Sequence, residues 1–131
     1  MIIAIDGPSG AGKSTVAKAV AKKLGFSCLD TGAMYRAVAW KALSEGISLE
    51  NKPALAEIAR THTISFGHEE GNPVPKQVFC DNQEITNEIR TAEIDRSVSA
   101  VSAVPEVRQA LVDQQRRIGS EGNYVVEGRD I

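Results

Sequence analysis

Residues 2–15 read IIAIDGPSGAGKST, and this segment decides the fold of the chain. It begins with four apolar residues and continues into a complete G-x-x-x-x-G-K-[ST] phosphate-binding loop at residues 7–14. Gly7, Gly10 and Gly12 allow backbone N–H groups to turn toward a polyphosphate. A lysine at the start of the next helix can reach phosphate oxygens, where the helix N-terminus adds partial positive charge. The segment therefore predicts a strand, a loop and a helix that bind a nucleoside triphosphate.

The residues after the loop predict an amphipathic helix. Lys13 and Ser14 stand in its first turn, where the lysine ammonium can reach the β- and γ-phosphates and the Ser14 hydroxyl can bind Mg²⁺. Gly25 is placed to end the helix as a C-terminal cap. The apolar residues that recur at helical spacing are Val16, Ala17, Val20, Ala21 and Leu24.

Composition indicates an ordinary soluble domain. The 131 residues are 42% hydrophobic and carry a formal net charge of −2, so no nucleic-acid partner is expected. Cys28 and Cys80 are isolated thiols without metal-ligand spacing, which favours buried thiols in a reducing compartment over a disulfide or a zinc site. The N-terminus lacks a signal-peptide pattern and no window has the length of a membrane span. We expect a cytoplasmic protein without a membrane partner.

The rest of the chain predicts an α/β fold with a small antiparallel insert. Further strands of the parallel sheet are expected at 26–29 and 124–126. Alternating residues and turn signals between 63 and 85 predict an antiparallel hairpin unit. Helices are predicted at 33–43, from 52 through 59, at 91–104 and at 105–119. The predicted organisation is one kinase-type domain with a core part at 1–62, the insert at 63–90, and helices with the third core strand at 91–131.

Three short strands make a thin parallel sheet. A first strand followed by this type of loop is expected at the sheet centre, yet no predicted strand is left to pair with its far side. We therefore expect the chain to be a truncated form of a P-loop NTPase fold, with helices on both faces of the sheet and the C-terminal part missing. An exposed strand edge would favour self-association of such a chain.

Three arginines are predicted near the carboxyl ends of the parallel strands. Arg36 follows the second strand, Arg129 follows the third, and Arg90 opens a long helix. Ligands of open α/β sheets bind beyond these strand ends. Because a guanidinium group offers a planar fork to phosphate oxygens, the arginines indicate a second phosphate beside the triphosphate site.

Five segments together resemble the bacterial cytidylate kinase family. In order along the chain they are IDGPSGAGKST at 5–15, LDTGAMYR at 29–36, EIRT at 88–91, PEVRQAL at 105–111 and EGRD at 127–130. The phosphate loop is shared by many families, but the second and last segments are much more specific. The antiparallel insert also resembles the monophosphate-binding region of the bacterial enzymes.

The resemblance implies a nucleoside monophosphate kinase-like fold and phosphorylation of CMP and dCMP by ATP with Mg²⁺. It also implies that the complete enzyme is a monomer. Lys13, Arg36 and Arg129 are then the catalytic residues, and Ser14 is the residue directed to the metal. The residues implied to hold ATP are Gly7, Pro8, Ser9, Gly10, Ala11, Gly12, Lys13, Ser14 and Thr15. Those implied to bind CMP are Thr31, Tyr35, Arg36, Ser99, Arg108, Arg129 and Asp130.

Three other interpretations stay open at this stage. The chain could belong to another small-molecule P-loop kinase, although an Arg108 and Asp130 pair suits the donor and acceptors of a cytosine edge. It could belong to a GTP-binding switch protein, although the sequence contains no N-K-x-D guanine-reading motif. It could also be a noncatalytic nucleotide-binding fragment.

Overall fold

The computed structural model describes residues 1–5 and 13–127. Residues 7–12 of the predicted phosphate loop at 7–14, and the residues Arg129 and Asp130, lie outside the described part. The described strands are β1 Ile2–Ile5, β2 Ser27–Cys28, β3 Ile64–Gly67, β4 Gln77–Cys80, β5 Gln83–Glu84 and β6 Tyr124–Glu127. The described helices are α1 Lys13–Leu24, α2 Thr31–Ser44, α3 Lys52–Thr61, α4 Ala92–Ser102 and α5 Pro105–Ser120.

Three strands form a parallel sheet in the order β1-β6-β2. The register pairs Ile2 with Tyr124 on one side of β6 and Ser27 with Tyr124 on the other. The predicted parallel α/β frame is therefore confirmed, and the last strand of the three lies between the first two. Within the described residues β1 pairs only with β6, as expected from the small number of predicted strands.

The second strand is shorter than predicted. The sequence indicates a strand over 26–29, but only Ser27 and Cys28 have ladder partners on β6. Leu29 still donates its N–H to the Val125 carbonyl at 3.1 Å, after which Asp30 begins the cap of α2. The strand is short because Asp30, directly after Leu29, is already the N-cap of α2.

The predicted antiparallel insert is present and has three strands, in the order β3-β4-β5. Asp81 and Asn82 form the turn between β4 and β5 with φ of 50° and 70°. Asparagine and aspartate tolerate this left-handed region better than most residues, so the turn residues fit their backbone. Two hydrogen bonds join the insert to the parallel sheet, from Cys28 N–H to the Pro73 carbonyl at 2.7 Å and between His68 Nε2 and the Cys28 carbonyl at 3.2 Å.

Helix α2 lies at the centre of the larger core. Three of its alanines, Ala37, Ala39 and Ala42, are at most 1% exposed, and their small side chains let α3, α4 and α5 pack closely around it. Met34 and Leu111 are fully buried in the same core. Burying side chains of this kind contributes about 1.5–3 kcal/mol each, so this cluster is the main stabilising unit of the described chain.

Helix α1 packs on the parallel sheet through a narrower stripe than predicted. Ala17 and Ala21 are buried against Cys28 and Val125, but Val16 is 48% exposed and Leu24 is 50% exposed. The helical spacing places these apolar residues on one side of α1, but it does not show that the sheet covers all of them. A sheet of three short strands covers only the middle of the apolar face.

Gln114 of α5 connects the end of α3 with the start of the insert. Its Nε2 donates to the Ala59 carbonyl at 2.9 Å and to the His62 carbonyl at 2.8 Å. Its Oε1 accepts the Ile64 N–H at 3.0 Å, where β3 begins. One partly buried amide therefore satisfies backbone groups at a helix end and at a strand start.

Candidate functional site

The candidate site lies at the carboxyl edge of the parallel sheet. Because β1, β2 and β6 are parallel, their carboxyl ends at Ile5, Cys28 and Glu127 lie at one edge of the sheet, and three sequence segments follow them along the chain. The first is the phosphate-loop sequence, the second leads into α2, and the third is the GRD sequence at 128–130. Helix α1 begins at Lys13, directly after the loop. The carboxyl edge of the sheet is where open α/β sheets bind their ligands.

A cavity of about 310 Å³ opens at this edge between α1, β2 and the insert. Its walls combine the start of α2, two residues of the insert and the ends of β2 and β6 with one side of α1. The lining residues are Ala17, Lys18, Cys28, Leu29, Asp30, Thr31, Gly32, Val74, Pro75, Val125 and Glu127. Its volume is at the lower end of the range of about 300–1,000 Å³ that is usual for small-molecule pockets.

The start of α2 turns its positive end toward this cavity. Asp30 is the N-cap of the helix, and its Oδ1 accepts the Ala33 N–H at 3.0 Å. Thr31 and Gly32, in the first turn, line the cavity wall. The cap fixes the direction of the helix, and the helix dipole favours an anion at this end.

A second cavity of about 410 Å³ shares Asp30 and Gly32 with the first. It lies between α2, α4 and the insert, and its lining residues are Asp30, Gly32, Ala33, Arg36, Val78, Ile89, Arg90 and Asp95. We refer to it as the Arg36 cavity. It contains two arginines close to the sheet edge, the arrangement that the sequence predicts for a second phosphate.

Arg36 is held in a defined position in this cavity. Its Nη1 donates to Asp95 Oδ1 at 2.6 Å and to the Ile89 carbonyl at 3.0 Å. The Arg36 side chain is 33% exposed and that of Asp95 is 59% exposed, so the ion pair lies in the cavity mouth in contact with solvent. Arg36 therefore has a fixed direction and remains accessible to an anionic ligand.

Cys28 contributes a thiol to the wall of the first cavity. Burial raises the pKa of this thiol, and the Glu127 carboxylate adds to the increase while Lys18 opposes it. The thiol is therefore protonated at neutral pH, and its role in the cavity wall is packing.

The structure brings some of the sequence-predicted residues together and leaves others apart. Thr31 and Arg36 line the two adjoining cavities, and Tyr35 packs partly buried against the main core. Ser99 on α4 and Arg108 on α5 are exposed and line neither cavity. The predicted site residues at 7–12, Arg129 and Asp130 lie outside the described residues, and the side chains of Lys13 and Ser14 are not described either. The three predicted triphosphate residues whose backbone is described, Lys13, Ser14 and Thr15, stand in the first turn of α1.

Sequence reasoning missed the groups that hold Arg36. Asp95 lies 59 residues further along the chain, and the other acceptor is a backbone carbonyl, so no local pattern marks them. Arg90 also differs slightly from expectation: it lines the Arg36 cavity but precedes α4, which has Thr91 as its N-cap and begins at Ala92.

The described residues also contain one group able to hold a metal ion, away from these cavities. His62, Cys80 and Asp81 each bring a ligand atom within 4.8 Å of the others, at the end of the insert opposite His68. Partial burial would raise the pKa of Asp81, but hydrogen bonds from His62 and from the Thr63 N–H outweigh it and lower that pKa. The His62 Nδ1 to Asp81 Oδ2 distance is 2.5 Å, so the two side chains already bind each other and hold the turn.

The parallel sheet, the phosphate-loop sequence after its first strand and the cavities at its carboxyl edge define an α/β protein of the P-loop kinase class. The family model described as cytidylate kinase matches residues 3–131. The chain therefore belongs to the cytidylate kinase family.

Curated relatives agree with this assignment. The chain is 50% identical over 129 residues to a cytidylate kinase of Desulfitobacterium hafniense and 52% identical over 129 residues to one of Caldanaerobacter subterraneus subsp. tengcongensis. These alignments cover 98% of this chain and 54% of each relative, so the chain spans about half the length of these relatives. It is also 52% identical over 130 residues to a bifunctional pantoate ligase/cytidylate kinase of Nostoc sp., covering 99% of the chain and 24% of that protein.

Among the described residues, no helix combines the length and the apolar character that a membrane span needs.

Proposed function

We propose that the whole protein transfers the γ-phosphoryl group of ATP to CMP or dCMP. The observation that carries the proposal is the identity of about half the residues with curated cytidylate kinases along 98% of the chain. The Arg36 cavity beside the α2 N-terminus supports it, because an acceptor nucleotide needs a cationic site next to the phosphate loop.

On the donor side, we assign ATP to the loop and first helical turn, Gly7 through Thr15. Lys13 begins α1 directly at the sheet edge, which is where a helix N-terminus can attract triphosphate oxygens. We assign Lys13 to the transferred phosphoryl group and the Ser14 hydroxyl to Mg²⁺. When bound, Mg²⁺ would neutralise charge on the β- and γ-phosphate oxygens.

On the acceptor side, we assign the CMP phosphate to Arg36 and Arg129. Arg36 lines a cavity that adjoins the sheet edge, and Arg129 follows β6 by two residues. We assign the cytosine to Ser99, Arg108 and Asp130, with Thr31 and Tyr35 at the pocket wall. A carboxylate suits the cytosine amino donor and a guanidinium suits its acceptors, whereas uracil would present an acceptor to the carboxylate.

The protein's contribution to the reaction is alignment and electrostatic stabilisation. An oxygen of the acceptor phosphate attacks the γ-phosphorus in line, the bond to the ADP oxygen breaks, and the products are ADP and CDP or dCDP. Lys13, Arg36 and Arg129 would stabilise the negative charge that spreads over the transferring group. The fixed direction of Arg36 reduces the reorganisation needed before transfer.

The proposed organisation of the domain follows from the separate donor and acceptor sites. We assign the P-loop core to 1–62, the monophosphate-binding insert to 63–90, and the remaining helices and third core strand to 91–131. The hydrogen bonds of the Cys28 backbone to Pro73 and His68 support an insert that moves with the sheet edge. Two free, buried cysteines support a reducing cytoplasmic setting, in which we propose a monomeric enzyme acting on small nucleotides.

The test is a coupled Mg²⁺-ATP turnover assay over CMP, dCMP, UMP, AMP and shikimate, run on the 131 residues and on the protein from its complete reading frame. We expect the complete protein to phosphorylate CMP and dCMP selectively and the shorter chain to do so poorly. Lys13→Ala should abolish transfer, and Asp130→Ala should raise the KM for CMP more than that for ATP. Asp113→Ala, an exposed carboxylate on α5, is the control. No preference for cytidine nucleotides would refute the proposal.

A further inference from the structure

The Arg36 guanidinium already has an anionic partner in the Arg36 cavity. Nη1 donates to Asp95 Oδ1 at 2.6 Å, and the same nitrogen donates to the Ile89 carbonyl at 3.0 Å. A ligand phosphate that binds Arg36 through this edge must therefore compete with a carboxylate. The position of that carboxylate, on the first turn of α4, is fixed by the Thr91 cap.

The described lining residues of the Arg36 cavity include two cations and two anions. Among the described lining residues, Arg36 and Arg90 are the cations, and Asp30 and Asp95 are the anions. Asp30 Oδ1 is engaged in the cap of α2, by the Ala33 N–H. Asp95 is thus the carboxylate that neutralises Arg36, and it also repels a second anion brought into the same space.

Asp95 also has a structural role, as an acidic residue in the first turn of α4. Its neighbour Glu93 allows that role to be distinguished from the binding of Arg36. Glu93 and Asp95 are both acidic residues in the first turn of α4, where each is favourable to the helix dipole. Glu93 lies on a different surface, beside Trp40 and Leu43. The helix therefore carries a matched pair of carboxylates, of which Asp95 binds Arg36 and lines its cavity.

We infer that Asp95 is a positioning residue that sets the affinity for the acceptor phosphate by competing with it for Arg36. This inference rests on the proposed function, in which Arg36 binds the phosphate of CMP. Asp95 holds the guanidinium while the cavity lacks an acceptor and releases Nη1 when the phosphate arrives. The Ile89 carbonyl keeps Arg36 directed into the cavity after that release, so loss of Asp95 leaves the arginine usable.

The inference predicts tighter binding when the carboxylate is neutralised. Partly exposed ion pairs correspond to modest interaction energies, so we expect Asp95→Asn to lower the Kd for CMP about two- to fivefold. Cytidine, which lacks the phosphate, should bind the wild-type protein and Asp95→Asn equally. In the complete protein the KM for CMP should fall by a similar factor, with kcat changed by less than about twofold.

The experiment is isothermal titration of CMP and of cytidine into the complete protein and its variants. Glu93→Gln removes the same charge from the same helical turn and should leave both affinities unchanged. Asp95→Glu keeps the carboxylate and should bind CMP with the wild-type affinity. Asp95→Ser is a second test of the loss of charge, should the amide of Asp95→Asn hydrogen-bond to Arg36.

The outcomes separate this inference from the proposed function. Tighter CMP binding in Asp95→Asn or Asp95→Ser alone, with cytidine unaffected, supports competition for Arg36. Unchanged or weaker CMP binding in both variants overturns the inference while the proposed function stands, as does an equal gain in Glu93→Gln. A wild-type protein that does not bind CMP would refute the proposed function itself.

Discussion

Replacing Gln114 by alanine should separate the insert from its support on the helical core. The side-chain amide makes three hydrogen bonds to backbone groups, at 2.9 Å to Ala59, 2.8 Å to His62 and 3.0 Å from Ile64. Each such bond contributes about 1 kcal/mol net, and the site is only partly buried, so water can replace some of the loss. We expect Gln114→Ala to lower the free energy of unfolding by about 2–3 kcal/mol.

The measurement is urea unfolding, followed both by far-ultraviolet circular dichroism and by fluorescence of the single tryptophan, Trp40. With a slope of about 1–3 kcal/mol per molar urea, the midpoint should fall by roughly 0.7–3 M. Coincidence of the two signals checks that the transition is two-state, which the free energies require.

Two further variants, Gln109→Ala and Gln114→Glu, test whether the loss of stability comes from the hydrogen bonds of the Gln114 amide. Gln109 lies on the same helix, and its amide donates to exposed Asp113 at 3.1 Å. Gln109→Ala should therefore cost less than about 0.5 kcal/mol. Gln114→Glu keeps an oxygen for the Ile64 N–H but turns a second oxygen toward two carbonyls, so it should destabilise at least as much as alanine. Equal midpoints for Gln114→Ala and Gln109→Ala would refute the reasoning.

Three further outcomes are expected. Gly119→Ala should destabilise by about 1–3 kcal/mol despite better helix propensity, because a Cβ there would approach Ile2 Cδ1 to well under 3.0 Å; a raised melting temperature would contradict this. Hydrogen bonds from His62 and Thr63 lower the pKa of Asp81, so their stabilisation is present above the unfolded pKa near 4 and is lost as pH falls through the folded value. Acid titration of stability should thus be shallower below about pH 4 in Asp81→Asn than in the wild type, and parallel curves would count against it. Burial raises the pKa of the Cys80 thiol, so iodoacetamide at pH 8 should alkylate it far more slowly in folded than in urea-unfolded protein, as peptide mass analysis would reveal.

Local sequence signals predicted most of the fold because they act over short distances. Asn51 caps α3 by accepting the Ala54 N–H at 3.2 Å, as its position before Lys52-Pro53 indicates. Gly25 and Gly46 follow α1 and α2 with φ of 71° and 68°, the left-handed conformation that favours glycine at helix ends.

Features that depend on distant partners could not be predicted in the same way. Val16 and Leu24 have the periodicity of packed residues, yet their exposure depends on how much sheet lies beneath α1. The strand order β1-β6-β2 is likewise a property of the whole chain rather than of any segment. Periodicity reports which side of an element is apolar and does not report the extent of the surface that covers it.

In the candidate site too, residues within a short motif could be predicted and a partner from a distant segment could not. Thr31 and Arg36 were identified from a short motif, and the structure places both in the walls of adjoining cavities. The partner of Arg36 was not identified, because Asp95 is brought to it by the packing of α4 on α2. The assignments of Ser99, Arg108 and Asp130 to the cytosine stay predictions.

The strand order also has a consequence for synthesis on the ribosome. β1 and β2 each pair with β6, and the register joins Ile2 and Ser27 to the same residue, Tyr124. At about 5–20 residues per second, the nascent chain exposes β1 and β2 for roughly 5–20 seconds before β6 is made. Helices α2 and α3 pack on each other and can form in that interval. The parallel sheet must then close in a late step, during which unpaired apolar strands are open to chaperones or to wrong partners.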